Sequence, residues 1–137
     1  MTIDAFTFLG QSLFGNGQTV EGLMAGLDGA EIDQAVVCPV KPRGYHLGPA
    51  NDLVAEAAQR EARLVGLARV DANLGDEAVA ELDRAIRTLG LHGLFLHPWE
   101  DQFRVNAPLV EPLLRRCADL DVPVLIAAGY PWVSEAA

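Results

Sequence analysis

The chain has 137 residues, half of them hydrophobic and 21% charged, which suits one globular domain over residues 1–137 with room for a sizeable core. Its formal net charge is −9, with the acids spread through the predicted helices, and this argues against nucleic acid as a partner because phosphate binding needs a basic surface. The sequence shows no apolar run suited to a membrane span and no basic-then-apolar leader, so a cytoplasmic protein with no membrane contact is expected, with Cys38 and Cys117 as free buried thiols rather than a disulfide.

Residues 3–10 alternate as a strand does, with Asp4, Phe6 and Phe8 on one face and Ile3, Ala5 and Thr7 on the other. Two aromatics and an acid on one side imply that this side is enclosed, and Asp4 is expected to fix the base of the strand by hydrogen bonding. A loop follows over residues 11–17. Val20, Leu23, Met24 and Leu27 then recur at helical spacing, in a helix weakened by Gly22 and Gly26. Residues 34–40 are a short apolar run, the mark of a strand covered on both faces. After a loop over residues 41–49, Asn51 reads as the N-cap of a helix reaching about residue 63, with Leu53, Val54, Ala57 and Ala58 on its apolar side. Residues 64–70 form the third strand. Val79, Leu82, Ala85, Ile86 and Leu89 make the stripe of the next helix, which Gly90 closes. The fourth strand spans residues 93–97. Pro108 opens the last helix, whose buried side carries Leu109, Leu113, Leu114, Cys117 and Leu120, and residues 122–128 form the fifth strand.

Five short apolar strands alternating with four amphipathic helices predict an α/β fold with right-handed crossovers and a parallel sheet. A doubly wound open sheet is the generic candidate, but its Gly-x-Gly-x-x-Gly turn after the first strand is missing. The wording of the segments separates the architectures. Residues 3–10 (Ile-Asp-Ala-Phe-Thr-Phe-Leu-Gly) resemble the first barrel strand of the metal-dependent amidohydrolase superfamily, in the branch of decarboxylases related to aminocarboxymuconate semialdehyde decarboxylase. There the strand reads Asp-Ala-His-Thr-His-Leu-Gly. The segments Asn51–Ala58, Leu64–Asp71, Leu91–Glu100 and Val122–Gly129 are similar to the same branch, in its order and spacing. The resemblance implies a (β/α)₈ TIM barrel, of which five strands and four helices are a partial, half-barrel sheet, since a complete barrel takes roughly 250 residues. An open half would expose a strand edge and an apolar sheet face. The chain is therefore expected either to pair, as a homo-oligomer or with a chain supplying the complementary barrel half, or to be part of a longer product.

In that family the two histidines of the first strand hold a catalytic divalent metal, a third histidine lies on the fifth strand and an aspartate near the last strand is the fourth ligand. Here Phe6, Phe8 and Ala127 stand at the first three positions, and the fourth lies beyond the chain. None of these side chains donates a lone pair, so no metal and no other cofactor is expected. His97 is the polar candidate for catalysis: it ends the fourth strand, and the family's wording there, Lys-Leu-His-Pro, also carries a histidine, although Phe95 replaces the lysine. A strand-end histidine bonded to a loop carbonyl is the competing reading. Trp99 and Glu100 follow on the same loop as candidate substrate-binding residues, the tryptophan reading equally as a cap on the core. Arg69 reads equally as the holder of a substrate carboxylate or as an ion-pair partner of Asp71 or Asp4. Cys38 reads as an inert core thiol, and His46 and His92 as loop and surface residues. Two functional readings follow, beside that of a truncated or split product with no independent function. One is an amidohydrolase-related protein with a degenerate metal site, non-catalytic alone and serving as a binding or assembly module or subunit, with a small-molecule ligand among its candidate partners. The other is a divergent or split metal-dependent hydrolase or decarboxylase whose site a partner chain completes.

Overall fold

A single strand hands the sheet from one half of the molecule to the other. In the computed structural model, which describes residues 1–44 and 46–128, the strand segments are β1 (Ile3–Gln11), β2 (Gly17–Gln18), β3 (Gln34–Pro39), β4 (Leu64–Gly66), β5 (Ala68–Arg69), β6 (Leu94–Leu96) and β7 (Val124–Ile126). β1, β3 and β4 lie parallel in that order, and β5, β6 and β7 form a second parallel group. β4 and β5 are the two halves of the predicted third strand. The Leu67 N–H still donates to the Val37 carbonyl at 2.9 Å, whereas the next N–H, of Ala68, donates to the Gly93 carbonyl at 2.8 Å. Changing neighbour at this point curves the wall into a trough. A short antiparallel pairing of β2 with Gly10 and Gln11 was not expected from the loop assigned to residues 11–17.

The four helices, α1 (Val20–Gly29), α2 (Gly48–Arg60), α3 (Asp76–Arg87) and α4 (Glu111–Asp119), cover the outside of the trough. Leu23 and Leu27 of α1 and Val54, Ala55 and Ala57 of α2 pack with Leu9, Ala35, Val37 and Leu64 of the sheet. Leu82 of α3 and Leu113 and Cys117 of α4 do the same over Leu94 and Leu96. Thr19 caps α1 by accepting from the Gly22 N–H at 3.1 Å. Gly90 adopts a φ of +74° just past α3, the left-handed geometry that favours glycine there. Gly66 is needed for space: a Cβ there would lie 2.6 Å from Leu91 and 2.9 Å from Val54.

Two local assignments are corrected. Asn51 is not an N-cap. α2 begins at Gly48, with Pro49 in its first turn, so Asn51 lies inside the helix and is fully buried. The face of Asp4 also changes. The register of β1 on β3 slips between Asp4 and Thr7, three residues of β1 spanning two of β3. This bulge puts Asp4 beside Ala35 on the helix side and leaves Phe6 and Phe8 on the inner side. Asp4 does bond locally, its carboxylate accepting from the Phe6 N–H at 3.1 Å.

Candidate functional site

The inner side of the trough is filled from both its walls. Phe6 and Phe8 come from β1 and Phe95 from β6, with ring centroids 4.8 Å (Phe6–Phe8), 5.3 Å (Phe6–Phe95) and 5.8 Å (Phe8–Phe95) apart. These separations are those of mutually attractive, tilted and edge-on aromatic pairs. Cys38 and Leu67 complete the buried centre, with Phe8, Leu125 and Ala127 packed against it. Phe95 is 0% exposed, and among the three rings only Phe6, at 41%, is largely open. The trough thus buries much of its own inner face, which a sequence-based picture of a bare face did not foresee.

The three positions at which the resemblance implies metal ligands are brought together, and each supplies hydrocarbon. Among the described residues no three His, Cys, Asp or Glu side chains converge in a way that could hold a metal ion. The residues present do not fit a family-type metal, which needs several convergent nitrogen, oxygen or sulfur donors.

Charge gathers behind the rings, at the C-terminal ends of the strands. Arg69 is 0% exposed, and its guanidinium carbon lies 5.4 Å from the Phe95 ring centre. One terminal nitrogen donates to Glu100 Oε2 at 2.7 Å and to both Asp101 oxygens at 3.1 and 3.2 Å. The other donates to the Pro39 carbonyl at 3.3 Å, and Nε is buried without a partner among the described residues. Lys41 donates to Asp101 Oδ1 at 2.5 Å, and Asn73 donates to the Asp101 carbonyl at 2.6 Å. Arg69 therefore pairs with Glu100 and Asp101, not with Asp71 or Asp4. Asp71 instead accepts from the backbone and side chain of Asn73. Lys41, Asn73 and Asp101 escaped the sequence reading, and Asn51 was read there only as a helix cap. Lys41 and Asp101 each follow a predicted strand end closely, and that shared placement was the available signal.

Asn51 holds this cluster from below. Its amide donates to the Arg69 carbonyl at 2.9 Å and to Glu81 at 2.8 Å, while its oxygen accepts from the Arg69 N–H at 2.8 Å. The side chain takes the place of a neighbouring strand at the point where β5 has left β3.

His97 follows β6, and its ring meets Phe95 edge-on at 5.8 Å. Its Nδ1 accepts from the Glu100 N–H at 3.3 Å, a loop amide rather than the carbonyl considered from sequence. An accepting Nδ1 places the proton of the neutral ring on Nε2, which lies 4.0 Å from Glu100 Oε1. Burial pulls the His97 pKa below its ordinary value, with Glu100 opposing and Arg69 adding to the effect. His97, Glu100, Trp99, Phe6, Leu125 and Ala127 line a pocket of about 370 Å³. Trp99, 48% exposed, forms one wall of it. Cys38 lies in the buried centre with Phe95, where burial, partly offset by Arg69, pushes its thiol up to about 12. His46 lies on the outside, 4.0 Å from Glu77.

Residues 23–137 match the family model for amidohydrolases. Among solved structures, a Staphylococcus aureus protein described as an amidohydrolase is similar at 15% identity and a TM-score of 0.75, over 98% of this chain and 50% of that one. The 2,6-dihydroxybenzoate decarboxylase from Rhizobium is similar at 16% identity and a TM-score of 0.72, over 98% of this chain and 52% of that one. The 5-carboxyvanillate decarboxylase from Sphingomonas paucimobilis is similar at 19% identity and a TM-score of 0.70, over 88% of this chain and 39% of that one. No curated protein matches the sequence. The chain spans between 39% and 52% of the length of these structures.

Proposed function

The chain belongs to the amidohydrolase family, and on that premise we propose that it is a member with a degenerate metal site, non-catalytic alone and acting as a binding or assembly module. The observation that carries this reading is the set of three rings. Phe6, Phe8 and Phe95 occupy one another's faces and edges where a working site would need donors. Packing of this kind adds stability to a core and offers nothing to polarise a carbonyl or activate water. The module acts as one domain over residues 1–137, in the cytoplasm, where Cys38 and Cys117 stay reduced. Its partner is a second copy or a chain supplying the remaining barrel units, because among the described residues no strand pairs with the outer side of β7 and β1 pairs on its outer side at Gly10 and Gln11 alone.

Metal content tests the reading. Protein incubated with zinc or manganese and then desalted is expected to retain no stoichiometric metal. One ion held per chain, with an activity lost on chelation, would overturn it. A second reading, a split hydrolase or decarboxylase completed by a partner, draws on His97 and Glu100, which stand beside the pocket at the strand ends. It requires the partner to bring every missing donor, and predicts metal uptake only in the complex.

A further inference from the structure

The pocket beside His97 has an unusual polar end. Its walls are Phe6, Trp99, Leu125 and Ala127, all apolar surfaces. Two polar groups are left at the same end: the Nε2–H of a neutral His97 and Oε1 of Glu100, whose other oxygen is taken by Arg69. They stand 4.0 Å apart, too far for a direct hydrogen bond. One oxygen atom at about 2.8 Å from each would bridge them with ordinary geometry.

The bridging atom must accept from His97 and donate to Glu100. A hydroxyl does both. A carboxylate has no proton to give and would sit against the Glu100 charge, and an ammonium has no lone pair for His97. Arg69 offers a carboxylate no alternative, since its side chain is wholly buried and its terminal nitrogens are engaged by Glu100, Asp101 and the Pro39 carbonyl. Water satisfies the polar pair but leaves the apolar walls wet. A ring carrying the hydroxyl covers both.

We propose that this pocket binds a neutral, flat apolar molecule through a single hydroxyl group held between His97 Nε2 and Glu100 Oε1, and that it selects against the corresponding carboxylate. The proposal rests on the reading that the mouth binds rather than hydrolyses. It is compatible with assembly, because closing the strand edges of a barrel leaves the C-terminal mouth open. Burial of His97, which favours its neutral form, suits an uncharged ligand.

The test uses three molecules of nearly equal size: benzyl alcohol, benzoate and toluene. Each is titrated into the full chain, in whatever assembly it adopts, while the Trp99 indole and His97 ring signals are followed by NMR. Benzyl alcohol is expected to saturate, about tenfold more tightly than either of the others, a difference of the size one good hydrogen-bond pair gives. His97→Phe should reduce it to the level of toluene. Ala127→Leu, which fills the pocket and removes no polar group, should abolish binding of all three. Benzoate binding as tightly as benzyl alcohol, toluene binding equally well, indifference to both substitutions, or no saturable binding of any probe would each overturn the proposal. Metal content and mass measured on the same samples report separately on the family-level reading.

Discussion

At the scale of single residues, Asn51 carries more of the fold than its place in the sequence suggests. Its amide closes a two-way bond with the backbone of Arg69 and adds a third bond to Glu81. Replacing it with leucine leaves a buried N–H and C=O unpaired, and Asn51→Leu should lower the unfolding free energy by about 2–4 kcal/mol in urea titration. A loss below about 0.5 kcal/mol would mean that water or a rearranged backbone satisfies those groups. His97 makes a pH prediction. Its folded pKa is depressed, so the folded state binds this proton less readily than the unfolded chain does. Its contribution is therefore fully present above the ordinary histidine value of about 6.5 and is lost as pH falls from there toward the folded pKa. Wild-type stability should fall through that window more steeply than that of His97→Gln, and parallel profiles would exclude the effect. What was legible in the sequence at this scale was residue type at a strand end. Asn51 was misread because an asparagine before an apolar helical stripe has the same appearance whether it caps the helix or points inward. Only its depth separates the two.

Among the elements, the order of strands and helices was readable because each short apolar run is bounded by turn residues and each helix carries a continuous stripe. The finer geometry was not. The slip between Asp4 and Thr7 leaves no mark in the alternation of residues 3–10, since a bulge changes the backbone and not the pattern. The division of residues 64–69 between two neighbours is likewise a long-range fact, decided by where Val37 and Gly93 offer carbonyls. Gly66 sits just before that change, pressed between Leu91 and Val54. Its substitution is a direct test of how tightly α2 and residue 91 close on the strand. Gly66→Ala should cost about 1–3 kcal/mol, the usual penalty for overpacking, with little change in helical circular dichroism. A neutral or stabilising result would show that Leu91 and Val54 move aside freely.

For the whole molecule, the central question is what lies beyond the two ends of the sheet. The aromatic cluster covers the middle of the trough, so the exposed apolar surface is smaller than a bare half-barrel would have. Part of it lies at the margins, with Ile3 on β1 and Leu109 and Leu114 in the α4 region, while Phe14, Leu53, Trp99 and Val105 are exposed on loops and on α2. Burying such side chains contributes on the order of 1.5–3 kcal/mol each, a large amount beside a net domain stability of about 5–15 kcal/mol. Strand edges that find no partner among the described residues add a template for association. Closed two-fold pairs are the commonest assemblies, which makes a homodimer the first expectation for the isolated chain. Light scattering on purified protein at micromolar concentration tests this most directly. Assembly predicts a mass at least twice the 14.7 kDa of one chain. A monodisperse 14.7 kDa particle that unfolds cooperatively and binds no apolar dye would contradict it.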